Sequence, residues 1–107
     1  MKILKESINK IVSNFDFSTA GEVFTTKEQS RAAGDYFLTS GDKIRFFWEE
    51  KAWLDGKCIQ SPELAINKIG HNLHDLEPAF EDISYDKRVG KICKDLGMEI
   101  PKVVQSM

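Results

Sequence analysis

The chain has 107 residues, 41% of them hydrophobic and 30% charged, which is enough apolar material for one small core and too little chain for two. Fifteen Lys and Arg against 17 Asp and Glu give a net charge of −2, so no cationic excess exists to grip a phosphate backbone, and nucleic acid is not an expected partner. No run approaches the roughly 18 apolar residues of a membrane span, the first residues do not read as a secretory signal, and two cysteines make neither a disulfide framework nor a metal cluster. These features describe a mixed domain with no membrane partner and the cytoplasm as its default address.

Residues 2 to 14 carry Ile3, Leu4, Ile8, Ile11 and Val12 at helical spacing, with Phe15 continuing the stripe and Lys2, Lys5, Glu6 and Lys10 on other faces. An amphipathic helix is expected there, without a capping residue before it. Ser18, Thr19 and Gly21 mark a loop. Thr26 and Gln29 have capping-box spacing, which predicts a short helix over about 27 to 33 closed by Gly34. Tyr36-Phe37-Leu38 is a compact apolar run, followed by the turn signal Thr39-Ser40-Gly41-Asp42. Ile44, Phe46 and Trp48 then alternate with Arg45, Phe47 and Glu49, the period of a strand with aromatics on both faces. Asp55-Gly56 between Ala52-Trp53-Leu54 and Lys57-Cys58-Ile59 is a hairpin signal.

The second half reads as helical. Ser61-Pro62-Glu63 supplies a cap, a first-turn proline and an acidic first turn, and Ile66, Ile69, Leu73 and Leu76 form one stripe behind them. Pro78 breaks that helix near 75 to 77 and restarts it over 78 to 83. Ser84 is placed to cap a third helix bearing Val89, Ile92, Cys93 and Leu96 and ended by Gly97. Residues 100 to 107 look like an entering strand whose neighbour lies outside the sequence. The expectation is a piece of something larger, lacking material at the C-terminus.

Few residues suggest chemistry on their own. His71 and His74 lie three apart on the predicted helix, a spacing that can put two imidazoles on one metal, but no third ligand is placed. The plainer expectation is a polar helix face touching water, with His74 at its edge. Lys68, on that same face, could hold a carboxylate as a point charge or be merely solvated. Lys43 and Arg45 could meet a phosphate or carboxylate, although alternating charges more often mark a strand's solvent side. Ser40, Ser61, Ser84 and Ser106 show no histidine and acid at recognisable spacing, and Cys58 and Cys93 read as packing residues.

Two blocks carry a resemblance: residues 35 to 47, Asp-Tyr-Phe-Leu-Thr-Ser-Gly-Asp-Lys-Ile-Arg-Phe-Phe, and residues 66 to 80, Ile-Asn-Lys-Ile-Gly-His-Asn-Leu-His-Asp-Leu-Glu-Pro-Ala-Phe. With the closing Val103-Val104-Gln105-Ser106-Met107, they resemble the phytanoyl-CoA dioxygenase family, in its domain-containing branch, over nearly the whole chain and matching its N-terminal portion. The resemblance implies an Fe(II)- and 2-oxoglutarate-dependent dioxygenase on a double-stranded β-helix. It implies that Lys68 contacts 2-oxoglutarate and that Met107 lines the same pocket. The family's iron ligands, an H-x-D pair and a distal His, have no counterpart here, and His71 and His74 do not correspond to them.

The expected fold class is therefore α+β, mostly helical: an N-terminal helical buttress and hairpin of a cupin-like oxygenase without its catalytic barrel, residues 1 to 107 forming one truncated domain. The full-length protein is expected to use Fe(2+) and 2-oxoglutarate on a small-molecule substrate such as an acyl-CoA. The 107-residue chain alone is expected to bind neither and to be inactive. A non-catalytic interaction module is the alternative, its final strand supporting self-association.

Overall fold

The computed structural model describes residues 2–17, 22–23, 34–55 and 57–107. The expected loop at Ser18, Thr19 and Gly21 and the expected helix over 27 to 33 lie outside them. The first apolar stripe forms helix α1 (Lys2–Ser13), with Lys2 and Glu6 paired across one exposed turn at 3.9 Å. Ile8, Ile11, Val12 and Phe15 turn its apolar side onto the core. What they cover is a three-stranded sheet in the order β1 (Glu22–Val23), β2 (Ile44–Trp48), β5 (Ile66–His71).

β1 runs parallel to β2, and β2 runs antiparallel to β5. The register pairs Phe46 with Ile69, Phe47 with Lys68 and Arg45 with Gly70, so each pair shares a face of the sheet. Phe46, Trp48 and Ile69 form the core together with Ala52, Ala65 and Leu73. Phe15 stacks on Phe46 at 3.7 Å between ring centres and lies 5.8 Å from Trp48, which fixes α1 against this face. On the opposite face, Phe47 meets Tyr36 and Phe37 edge-on; these two come from the helical turn α2 (Asp35–Leu38).

A 3-10 turn (Glu50–Ala52) leads into the hairpin β3 (Trp53–Leu54) and β4 (Lys57–Cys58), where Asp55 takes a left-handed φ of 49° as a tight turn requires. Ser61 and Pro62 do open a helix, but α3 (Pro62–Ala65) lasts a single turn. The expected helical stripe over 66 to 76 is thereby corrected. Ile66 is extended (φ −88°, ψ 123°), and residues 66 to 71 form β5. The reason is tertiary: β2 offers a complete ladder to pair with, while a helix here would carry Gly70 in its interior at a cost of about 1 kcal/mol.

The break at Pro78 is present, between α4 (Leu73–Leu76) and α5 (Pro78–Ser84). Ser7 Oγ donates to Glu77 Oε1 at 2.5 Å, tying α1 to the residue before α5. Helix α6 (Lys87–Asp95) is capped by Asp86, whose carboxylate accepts from the Arg88 amide at 2.7 Å, while Ser84 closes α5 instead. Gly97, with φ +79°, ends the following turn. The C-terminal run is not a strand over 100 to 107: its β-bridges are isolated ones, from Ser106 to His71 and Asn72. The molecule is thus mixed α+β, and its described strands make two small sheets that close no barrel.

Candidate functional site

β5 is an edge of the sheet, and among the described residues the backbone bridges on its outer side are those of Ser106. Beside it lies an open concavity of about 470 Å³. Its walls are Ile8 from α1, Ile66, Asn67, Lys68 and Ile69 from β5, Leu73 from α4, and Met107. Lys68 and Met107, distant in sequence, therefore share one cavity. Asn67 donates from Nδ2 to Glu49 Oε1 at 2.8 Å, and Lys68 is half-buried.

The strand, and not a helix face, sets Lys68 in this position. The polar-face account of His71 and His74 is corrected for the same reason: both are buried, each 4% exposed. His71 lies at the end of β5, 5.1 Å from the Phe37 ring and 5.3 Å from that of Phe47. Its Nδ1 is 2.6 Å from Ser40 Oγ, and Ser40 Oγ donates to the Phe37 carbonyl at 2.5 Å. A hydroxyl has one proton, so Nδ1 must donate to Ser40, and Nε2 carries the bare lone pair. That Nε2 is buried with no hydrogen-bond partner among the described residues. Burial, and then the positive charge of Lys68, hold the imidazole below the usual histidine range, so it is neutral at pH 7.

His74 makes a second serine pair, with Nδ1 2.8 Å from Ser106 Oγ. Neither pair was visible in the sequence, because the partners are 31 and 32 residues apart and no local spacing links them. Among the described residues neither has an adjacent buried acid of the kind a nucleophilic triad needs; Asp75, 3.8 Å from His74 Nε2, is half-exposed. Arg45 is occupied: its guanidinium lies 4.5 Å above the Tyr36 ring and donates to the Tyr36 carbonyl and, at 2.8 Å, to Thr39 Oγ1. Lys43 pairs with Asp42. Cys93 is half-buried, but Cys58 is exposed, so the expectation that it packs is corrected.

A 2-oxo acid needs a cation and apolar walls, and Lys68 with Ile66, Ile69, Leu73 and Met107 has that chemistry. Iron needs three or four gathered donors, and among the described residues no three His, Cys, Asp or Glu side chains come together to hold a metal. The described residues therefore do not fit an iron site by themselves. Among them, too, no helix is long and apolar enough to cross a membrane.

No family model matches the chain. It is 43% identical over 96 residues to the phytanoyl-CoA dioxygenase domain-containing protein 1 homolog of Dictyostelium discoideum, covering 90% of this chain and 34% of that protein. Against the phytanoyl-CoA dioxygenase of Arabidopsis thaliana it is 40% identical over 105 residues, with 97% and 37% covered. For the domain-containing protein 1 homolog of Caenorhabditis elegans the identity is 45% over 107 residues, again with 97% and 37% covered. Along nearly its whole length the chain is similar to proteins of the phytanoyl-CoA dioxygenase family. It spans little more than a third of the length of the curated relatives it matches.

Proposed function

We propose that this chain is part of an Fe(II)- and 2-oxoglutarate-dependent dioxygenase, to which it contributes Lys68 and Met107 as walls of the 2-oxoglutarate pocket. The observation that carries the reading is the cavity they share at the edge of β5. In the assembled enzyme dioxygen would be the oxidant: one oxygen atom would go into succinate as 2-oxoglutarate is oxidised with loss of CO2, and the other into an unactivated C–H bond of an organic substrate, an acyl-CoA or a related molecule. Lys68 acts as a point charge whose ammonium holds a carboxylate of the 2-oxo acid, and the apolar walls keep competing water away. Neutral His71 beside it adds no second positive charge to repel that ammonium. The iron ligands come from sequence outside these 107 residues, and the chain alone performs no turnover.

The test is the intact mass of the endogenous product and its consumption of 2-oxoglutarate. The expected product is much heavier than 12.2 kDa. With Fe(II) it consumes 2-oxoglutarate, and Lys68→Ala raises the KM for that acid about tenfold, as loss of one charge-assisted hydrogen bond implies. A product of 12.2 kDa, or an unchanged KM in the variant, overturns the reading.

The second reading is a non-catalytic interaction module that self-associates through its C-terminal run. Exposed Ile100 and Val104, 79% and 88% accessible, favour it. Size-exclusion chromatography of the purified chain separates a defined oligomer, which supports this reading, from a monomer or soluble aggregate, which removes it.

A further inference from the structure

Ser106 stands where three segments cross. Its amide donates to the His71 carbonyl at 2.9 Å. Its Oγ accepts from the His74 amide at 2.8 Å and lies 2.8 Å from His74 Nδ1. With one lone pair engaged by the amide, the hydroxyl proton is free to reach Nδ1. Apart from these contacts, the run after α6 has no bridge to either sheet among the described residues.

The crossing fixes the next residue. A Cβ on Gly70 would stand 3.1 Å from Met107 Cβ and 3.2 Å from the Ser106 carbonyl oxygen, so the chain lies directly on Gly70, and a larger residue there would make it give by a few tenths of an ångström. Gly70 is two residues from Lys68 on the same strand. The Ser106 bonds thus decide where Met107 sits relative to Lys68 across the cavity.

We infer that Ser106, held by His74, is a positioning residue of the 2-oxo acid pocket: it sets Met107 opposite Lys68 without touching the ligand. This rests on the reading of Lys68 and Met107 given above. No spacing rule points to Ser106, and its role comes from the bonds at the crossing.

The experiment uses the iron-loaded oxygenase carrying this sequence, with 2-oxoglutarate as the probe and Lys68→Ala as the control. Ser106→Ala is expected to raise the KM for 2-oxoglutarate about tenfold while lowering kcat by less than threefold. Ser106→Thr, which keeps the hydroxyl, is expected to stay within about threefold of the parent KM. Three results overturn the inference alone: Ser106→Ala leaves KM unchanged while Lys68→Ala raises it, Ser106→Ala lowers kcat alone, or Ser106→Thr is as impaired as Ser106→Ala. If both Lys68→Ala and Ser106→Ala leave KM unchanged, the pocket reading fails and the inference fails with it. Amide exchange in the 107-residue chain tests the crossing itself: the Ser106 amide should be protected in the parent and lose that protection in Ser106→Ala. Equal protection in the two overturns the crossing's role.

Discussion

Helices α1 and α6 carry similar apolar stripes and meet opposite fates. The stripe of α1 is covered by Phe46 and Trp48 of β2 and tied by Ser7 to Glu77. That of α6 is largely exposed: Val89, Ile92 and Leu96 are 39%, 59% and 70% exposed, and Cys93 is half-buried. An amphipathic pattern records that a face needs covering; it does not record what covers it. Stability in this molecule is accordingly concentrated in the sheet and its α1 face, and α6 with the run behind it adds little.

Trp48→Ala should break the stronger region outright. A 2% exposed indole packed against Phe15, Phe17 and Trp53 should cost about 3–5 kcal/mol on truncation, read from urea unfolding. Gly70→Ala probes the seam between the two regions. The new methyl crowds Met107, so a loss of about 1–3 kcal/mol is expected, along with a shifted Met107 methyl resonance.

Acid sharpens the contrast by a different route. His71 has its folded pKa depressed by burial first and by Lys68 second, so below the ordinary value of 6.5 the unfolded chain takes up a proton that the folded chain refuses. Stability should be level above that pH and fall as pH drops towards the folded value. His71→Gln should flatten the slope in urea midpoints measured between pH 7.5 and 5. The smallest effect is expected on α6: Ile92→Ser should change stability by no more than about 0.5 kcal/mol, and a larger loss would mean that its stripe is covered in solution.

Much of the fold was legible wherever one element decides its own structure. The α1 stripe, the alternation of β2, the Asp55 turn and the proline break before α5 are local signals, and each is present. β5 was not legible, because Ile66, Ile69, Leu73 and Leu76 fit a helical period by coincidence across a strand, a bend and a separate turn. Its burial does not alternate either, since Ile69, Gly70 and His71 are all covered. The one warning was Gly70, a poor residue for a helix interior. At the candidate site, family resemblance singled out Lys68 and Met107, whereas the serine partners of His71 and His74 depend on chain crossings over some thirty residues. No pattern of neighbours encodes such a crossing.

The bond from His74 to Ser106 also closes a loop spanning 32 positions. Closure entropy grows only with the logarithm of loop length, so doubling that excursion would cost about 0.6 kcal/mol. Most of the cost of bringing Met107 back to β5 is incurred at any comparable length. The segment from α5 to Ser106 is therefore free to lengthen or shorten, and to exchange its surface, while its end point stays in register. Insertions between Asp86 and Gln105 should leave the seam at Gly70 in place.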